Sequence, residues 1–267
     1  MGRRAQRKTV LHVEGERSVS REDTLAVEEP LELRVDGVAL TVTMRTPGDD
    51  MDLAAGFLVA EGAVRGPADI VTMRYCGGKD DTGLQTYNQL DLSLAVPAPA
   101  PRAFATTSAC GVCGSDTIDA VRQKSPHDPV GGPLSQAVVV ELPARLRAAQ
   151  EGFRQTGGLH AAGLFSLSGQ LLCLREDVGR HNAVDKVVGW ALREDRLPLS
   201  DTVLLVSGRA SFELVQKAWM AGIPVLAAIS APSSLAVELA EEAGMTLIGF
   251  LRGDTMNVYT GANRLLP

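Results

Sequence analysis

The chain has 267 residues, 45% hydrophobic and 22% charged, with a net charge of −6 and four cysteines. This is enough apolar material for one large domain or two small ones, and the acidic balance argues against a surface that coats nucleic acid. Four cysteines are too few for a disulfide framework at this length, which points to a reducing compartment, and no uninterrupted apolar run of ~18 residues reads as a membrane span. The first residues, Met1-Gly2-Arg3-Arg4-Ala5-Gln6-Arg7-Lys8, are basic but lack the apolar run of a signal peptide. A soluble, cytoplasmic protein is expected.

In chain order, residues 8–14 read as an opening strand. Leu31 to Met44 alternate apolar and polar residues around Asp36-Gly37, a dipeptide that tight hairpin turns favour. After Pro47-Gly48, Asp49 or Asp50 is expected to cap a helix bearing Met51, Leu53, Ala54, Phe57, Leu58 and Ala60, which ends near Gly62. Ile70 to Cys76 and Leu90 to Leu94 read as two further strands. Together these make a small α+β unit of antiparallel strands and one helix. Pro97, Pro99 and Pro101 form an extended connector and mark the expected boundary between domains 1–108 and 109–267.

The connector leads to Cys110-Gly111-Val112-Cys113-Gly114. In a Cys-x-x-Cys pair each sulfur can stabilise the other's thiolate, lowering one pKa from ~8.5 towards neutrality or below. Gly111 and Gly114 admit backbone angles that let the loop present sulfur to a partner. Ser115-Asp116 resembles a helix cap, and a helix starting there would aim its positive dipole end at the cysteines. Half of a structural zinc site is the competing reading, but it needs two more ligands, and the remaining Cys76 and Cys173 stand alone in apolar surroundings. Sulfur chemistry is favoured.

Beyond it, Ala144 to Gln150 read as a helix, and Ala161–Phe165 with Leu171–Leu174 as a hairpin around Ser168-Gly169. Strands and helices then alternate: a helix from about His181 to Ala191, strand Val203–Val206, helix Phe212–Met220, strand Val225–Ile229, helix Ser234–Ala243 and strand Thr246–Leu251. Short apolar strands between helices imply a largely parallel sheet in a three-layer α/β domain. Ligands of such sheets bind beyond the carboxyl ends of the strands. There stand Ser207-Gly208-Arg209-Ala210-Ser211, Ser230-Ala231-Pro232-Ser233-Ser234 and Phe250-Leu251-Arg252-Gly253-Asp254-Thr255. Each alone is an ordinary turn or cap. Repeated at successive strand ends, they suit a phosphate-bearing ligand.

The densest polar run is Arg175 to Lys186. A solvated helix start could tolerate it, but Arg180, His181 and Asn182 fall together beside Gly179, with Lys186 on a following turn. That combination suits ligand binding, proton transfer or both. A zinc deaminase would need His-x-Glu upstream of Pro-Cys-x-x-Cys, and the chain has no such arrangement.

These motifs resemble the formate dehydrogenase accessory sulfurtransferase family, FdhD. The matches are Cys110-Gly-Val-Cys113-Gly, the run Glu176 to Lys186, Ser207-Gly-Arg-Ala-Ser211, Ser230-Ala-Pro232, Gly249-Phe250 with Arg252, and Pro47-Gly48-Asp49 with Leu53 to Gly62. Ser233 stands where threonine is common. The resemblance implies a cytidine-deaminase-like three-layer α/β domain joined to a smaller N-terminal α+β domain, acting as a homodimer. It implies sulfur transfer from a cysteine desulfurase to the molybdenum bis(molybdopterin guanine dinucleotide) cofactor that formate dehydrogenase needs. That cofactor would be bound as substrate, with no permanently bound metal. By that analogy Cys110 would carry the persulfide, Cys113 would assist or resolve it, and Phe250 to Thr255 would help to hold the guanine dinucleotide. Arg180, His181, Asn182, Ser207, Gly208 and Arg209 join the candidate site on their own chemistry. Release of sulfur could follow attack by Cys113 or ligand substitution at molybdenum. The competing functions are a non-catalytic cofactor chaperone, a thiol–disulfide oxidoreductase and a zinc protein.

Overall fold

A computed structural model of the chain describes residues 4–78, 86–100 and 125–267. Cys110, Cys113, the helix expected after Asp116, the end of the proline connector and the 108/109 boundary lie outside the described residues.

The chain opens with a two-stranded ribbon, β1 (Ala5–Glu14) and β2 (Arg17–Ala26), paired antiparallel along its length. The sequence reading placed only the first of these strands. β2 is mostly exposed and has no core to face, so its residues need not alternate. The expected hairpin follows as β3 (Glu29–Val35) and β4 (Val38–Arg45). Asp36 and Gly37 have φ of 49° and 81°, the left-handed pair that a type I′ turn requires. The helix α1 (Asp50–Ala60) then leads to β5 (Ile70–Tyr75) and β6 (Gln89–Leu94) in a sheet ordered β4-β3-β6-β5. The strands are not all antiparallel as expected, because β3 and β6 run parallel. The connection from β4 through α1 is long enough to return the chain for such a pair. Asp49 does not cap α1. Its φ is 55°, its carboxylate makes no capping bond, and it pairs with Arg4 at 2.7 Å.

The larger half begins with the two-residue strand β7 (Leu134–Ser135), α2 (Gln136–Ala149) and α3 (Glu151–Thr156). α2 starts well before the expected Ala144, and Pro143 lies inside it, where a sequence reading expects a break. Next come β8 (His160–Ser166), β9 (Leu171–Asp177), α4 (Arg180–Arg193), β10 (Thr202–Val206), α5 (Phe212–Met220), β11 (Val225–Ala228), α6 (Ser234–Glu242), β12 (Thr246–Arg252), β13 (Thr255–Thr260) and β14 (Leu265–Leu266). The six-stranded sheet runs β13-β12-β11-β10-β8-β9. Only β10, β11 and β12 are mutually parallel, which corrects the expectation of a largely parallel sheet. The hairpins β8–β9 and β12–β13 place antiparallel strands on both flanks.

Successive residues of the central strands face opposite ways. Leu204, Val206, Leu226, Ala228 and Leu247 join the core of α4, α5 and α6, whereas Val203, Leu205, Val225, Ala227 and Ile248 join that of α2. The sheet is therefore the middle of three layers. The α4-side core also contains Leu53 and Leu58 of α1 and Leu31, Leu33, Leu90 and Leu92 of the N-terminal sheet. Where α1 meets α4, each helix presents a glycine. A Cβ on Gly56 would lie 1.8 Å from the Asp185 carbonyl oxygen, and one on Gly189 would lie 1.8 Å from that of Asp52. The backbones touch, and neither can accept a methyl group. Gly189→Ala is expected to cost at least about 2 kcal/mol in urea unfolding. Gly66→Ala, where a Cβ meets nothing within 4 Å, should change stability by less than about 0.5 kcal/mol.

Candidate functional site

The three strand-end motifs lie side by side. Backbone bonds continue past the parallel strands: Ser230 N donates to Gly208 O at 3.4 Å, and Phe250 N to Ser230 O at 3.1 Å. The motifs therefore share one edge of the sheet, at the carboxyl ends of β10, β11 and β12. At that edge Phe250 has φ of 51° and keeps 40% of its surface exposed. A bulky residue in left-handed backbone is strained, and such strain collects at functional sites. Arg252 Nε donates to Ile229 O at 3.0 Å, holding the guanidinium across the neighbouring junction. Gly253 and Asp254 turn the chain into β13, and Thr255 Oγ1 donates to Arg252 O at 3.0 Å. Leu251 is fully buried in the α2-side core, so its side chain belongs to packing. Arg209 is exposed and makes no ion pair with the described residues.

The start of α4 supplies the second group. Arg180 opens the helix, and its Nε is buried without a hydrogen-bond partner. His181 Nε2 lies 2.6 Å from Glu213 Oε2 and 3.3 Å from Ser211 Oγ. Asn182 turns the other way: its amide nitrogen donates to Met44 O at 2.7 Å and Asp177 Oδ1 at 3.0 Å, and its oxygen accepts from Thr43 Oγ1 at 3.4 Å. Lys186 is buried too, bonded to Asp177 Oδ2 at 2.7 Å and Thr46 O at 2.9 Å. Asn182 and Lys186 thus hold the N-terminal sheet to α4, and Arg180 and His181 are left at the edge.

Gly208 lies close to both groups: a Cβ there would be 3.4 Å from His160 Nδ1 and 3.6 Å from Arg180 Cδ. His160, which the sequence reading did not single out, stands at the start of antiparallel β8 and so at the carboxyl end of β10. Its Nδ1 is 3.5 Å from Ser207 Oγ, which accepts from Ala161 N at 2.9 Å. Burial, then the charges of Arg180 and His181, hold the His160 imidazole below its ordinary pKa. Glu213 was equally illegible, since one carboxylate in the first turn of a helix has no sequence signature. Among the described residues, no group of three or more His, Cys, Asp or Glu side chains is arranged to hold a metal ion. Cys173 is 5% exposed, and burial pushes its thiol up to about 12, which makes it inert as a nucleophile. No helix among the described residues is long and apolar enough to cross a membrane.

Fold and site together define an α/β protein with a cationic, glycine-bearing edge at the carboxyl ends of its parallel strands. Residues 26–266 match the model of the FdhD/NarQ family, and the chain belongs to that family. It is 58% identical to the Nocardia farcinica protein named "Sulfur carrier protein FdhD", covering 99% of this chain and 96% of that one. Proteins with the same name from Mycobacterium tuberculosis and Streptomyces coelicolor are 55% and 54% identical, each over 99% of this chain and 100% and 97% of theirs. In fold, the chain is similar to a crystal structure from Desulfotalea psychrophila assigned as a formate dehydrogenase accessory protein. The TM-score is 0.81 at 23% identity, over 99% of this chain and 100% of the other.

Two measurements probe this frame. Lys186→Met leaves the Asp177 carboxylate buried without its cation, so a loss of about 3–5 kcal/mol is expected in denaturant unfolding. The double variant Lys186→Met/Asp177→Asn should recover part of it. For His160 the folded pKa is depressed, so the unfolded chain binds the proton first as pH falls below about 6.5. Stability therefore drops through that window and the loss persists below the folded pKa. His160→Gln should flatten the acid limb of a Tm–pH curve. A residual slope from His127, also lowered by burial and by Arg65, should remain.

Proposed function

We propose that this protein is a sulfur carrier for formate dehydrogenase maturation. It takes sulfur from a cysteine desulfurase as a persulfide on Cys110 and delivers it to the bound molybdenum bis(molybdopterin guanine dinucleotide) substrate. The observation that carries this reading is the near full-length identity of 54–58% to proteins named as sulfur carriers, in a chain with one Cys-x-x-Cys pair. The burial of Cys173, which disfavours its thiolate, supports it by removing one competing thiol.

In loading, the Cys110 thiolate attacks the terminal sulfur of the donor's persulfide, and the donor cysteine leaves as thiolate. The electrons balance, and the sulfane sulfur now ends the Cys110 persulfide. In release, the Cys113 thiolate attacks Cys110 Sγ and the terminal sulfur departs as hydrosulfide. The resulting disulfide is reopened by a dithiol reductant. Phosphates of the substrate would be held at the carboxyl edge by Arg180, Arg209, Arg252 and the free N–H groups around Gly208. The protein is assigned as a cytoplasmic homodimer. Its three-layer half is assigned as cytidine-deaminase-like, a reading supported by a mixed sheet with a parallel centre between two helical layers.

Incubation with a desulfurase and cysteine, followed by intact mass under non-reducing conditions, tests this. The wild type and Cys113→Ser should gain one reducible sulfur, and Cys110→Ser should gain none. A wild type that gains nothing beside a demonstrably active desulfurase would refute the carrier role and favour a non-catalytic cofactor chaperone. In that case Arg209→Ala and Arg252→Ala would abolish cofactor binding while the cysteine variants retained it.

A further inference from the structure

The β1–β2 ribbon is the part of the chain that its own core does not explain. A two-stranded ribbon alone is marginal in water, and three or more strands are normally needed for a stable sheet. This one leaves Leu11 69%, Val13 59% and Val19 59% exposed. It is tied down at its base, where Arg4 pairs with Asp49, Val27 N donates to Arg4 O at 3.0 Å, and a Cβ on Gly158 would lie 3.4 Å from that of Ala26. All but its last residue precede residue 26, where the match to the family model begins.

The two edges of the ribbon differ. β2 carries Arg17, Arg21, Glu22 and Asp23, all exposed, and such charges blunt an edge against further pairing. β1 has the run Thr9-Val10-Leu11-His12-Val13, with no carboxylate, lysine or arginine. Among the described residues β1 pairs with β2 alone. Gly15 and Glu16 form the two-residue turn, so Glu14 and Arg17 make its closing hydrogen-bonded pair, and such pairs recur at every second residue. Lys8, Val10, His12 and Glu14 therefore bond β2. Thr9, Leu11 and Val13 turn their N–H and C=O groups outward, the edge that another strand extends.

That edge is complementary to itself. In an antiparallel pair outward-facing residues lie opposite outward-facing residues, so a two-fold axis must pass through a residue. With the axis at Leu11, Leu11 meets its own counterpart, Thr9 meets Val13, Val10 meets His12, and Lys8 meets Glu14 at both ends. Opposite charges facing each other stabilise a pair. An axis at Val10 would set Lys8 against His12 and leave Glu14 facing Gln6. An axis at Thr9 would need Arg4 to meet Glu14, and Arg4 is held by Asp49.

We propose that two copies of this chain join through β1, antiparallel with Leu11 on the two-fold axis, into a four-stranded sheet ordered β2-β1-β1-β2. This rests on the homodimer reading and names the surface that makes it.

Sedimentation equilibrium of the full chain gives the dimer dissociation constant. Leu11→Lys sets two ammonium groups against each other at the axis and should raise that constant at least roughly tenfold. Lys8→Glu should weaken the dimer by about as much, and Lys8→Glu/Glu14→Lys should restore it to within about threefold. A second readout does not depend on affinity. In a Cys110→Ser/Cys113→Ser background, mild oxidation should cross-link Leu11→Cys, whose Cα atoms would stand about 5.5 Å apart, and should not cross-link Thr9→Cys. A wild-type dimer that Leu11→Lys leaves intact, with no cross-link through Leu11→Cys, overturns the proposal and leaves the homodimer reading standing on another face. A monomeric wild type overturns both. Loss of formate dehydrogenase binding in Leu11→Lys with the dimer intact also overturns the proposal and gives the edge to that partner.

Discussion

The carboxylate of Asp177 is the point on which the arrangement of the two halves depends. It is fully buried and receives four donors: Thr46 N at 3.1 Å, Gly179 N at 2.8 Å, Asn182 Nδ2 at 3.0 Å and Lys186 Nζ at 2.7 Å. Lys186 closes the network on Thr46 O. A buried ion pair is a poor source of net stability, because both ions lose water. What this one supplies is position. It ties together the end of β9, the first turns of α4 and the segment between β4 and α1. The direction of α4, and therefore the place of Arg180 and His181, follows from it.

The packing of α1 on α4 uses the freedom that this network leaves. With the helix starts fixed, the axes approach until Gly56 and Gly189 bring backbone onto backbone. The acidic first turn of α1 is drawn into the same interface. Asp50 is 3% exposed and pairs with Arg45 at 3.0 Å, while Asp52, also 3% exposed, pairs with Arg175 at 2.8 Å and with Arg193. Carboxylates at a helix N-terminus are favoured by its dipole, and here each also meets an arginine, so their burial is compensated. The acidic start of α1 thus anchors the helix to its surroundings.

Much of this was legible in the sequence, and the exceptions have physical causes. Alternation and turn residues located β3, β4, β8 and β9, and helix α5 lies where its apolar spacing put it. Strand β2, mostly exposed, escaped because alternation records burial, whereas β13 was missed although Met256 and Val258 pack on the α2-side core. Parallel pairing of β3 with β6 escaped because it depends on a crossover and leaves no local mark. The polar run from Arg175 to Lys186 was visible as unusual. Its division into a clamp, through Asp177 at the end of β9 with Asn182 and Lys186 of α4, and an edge, through Arg180 and His181, depends on where each residue stands relative to strands far away in sequence. His160 was invisible for the same reason, since a lone imidazole acquires meaning only from what surrounds it.

Several arginines of the scaffold pair with carboxylates, and those of the carboxyl edge do not. The chain carries a net charge of −6, so an arginine has carboxylates in abundance, and Arg4, Arg34, Arg45, Arg145, Arg175 and Arg193 all take one. Arg180, Arg209 and Arg252 stand at the carboxyl edge and have no carboxylate partner among the described residues. The neighbouring acid, Glu213, is engaged by His181, and the His160 imidazole is held towards its neutral form. Arginines at that edge without a carboxylate partner are ones that an anionic ligand would stabilise. In a protein acidic elsewhere, that arrangement favours anionic over cationic ligands at this edge.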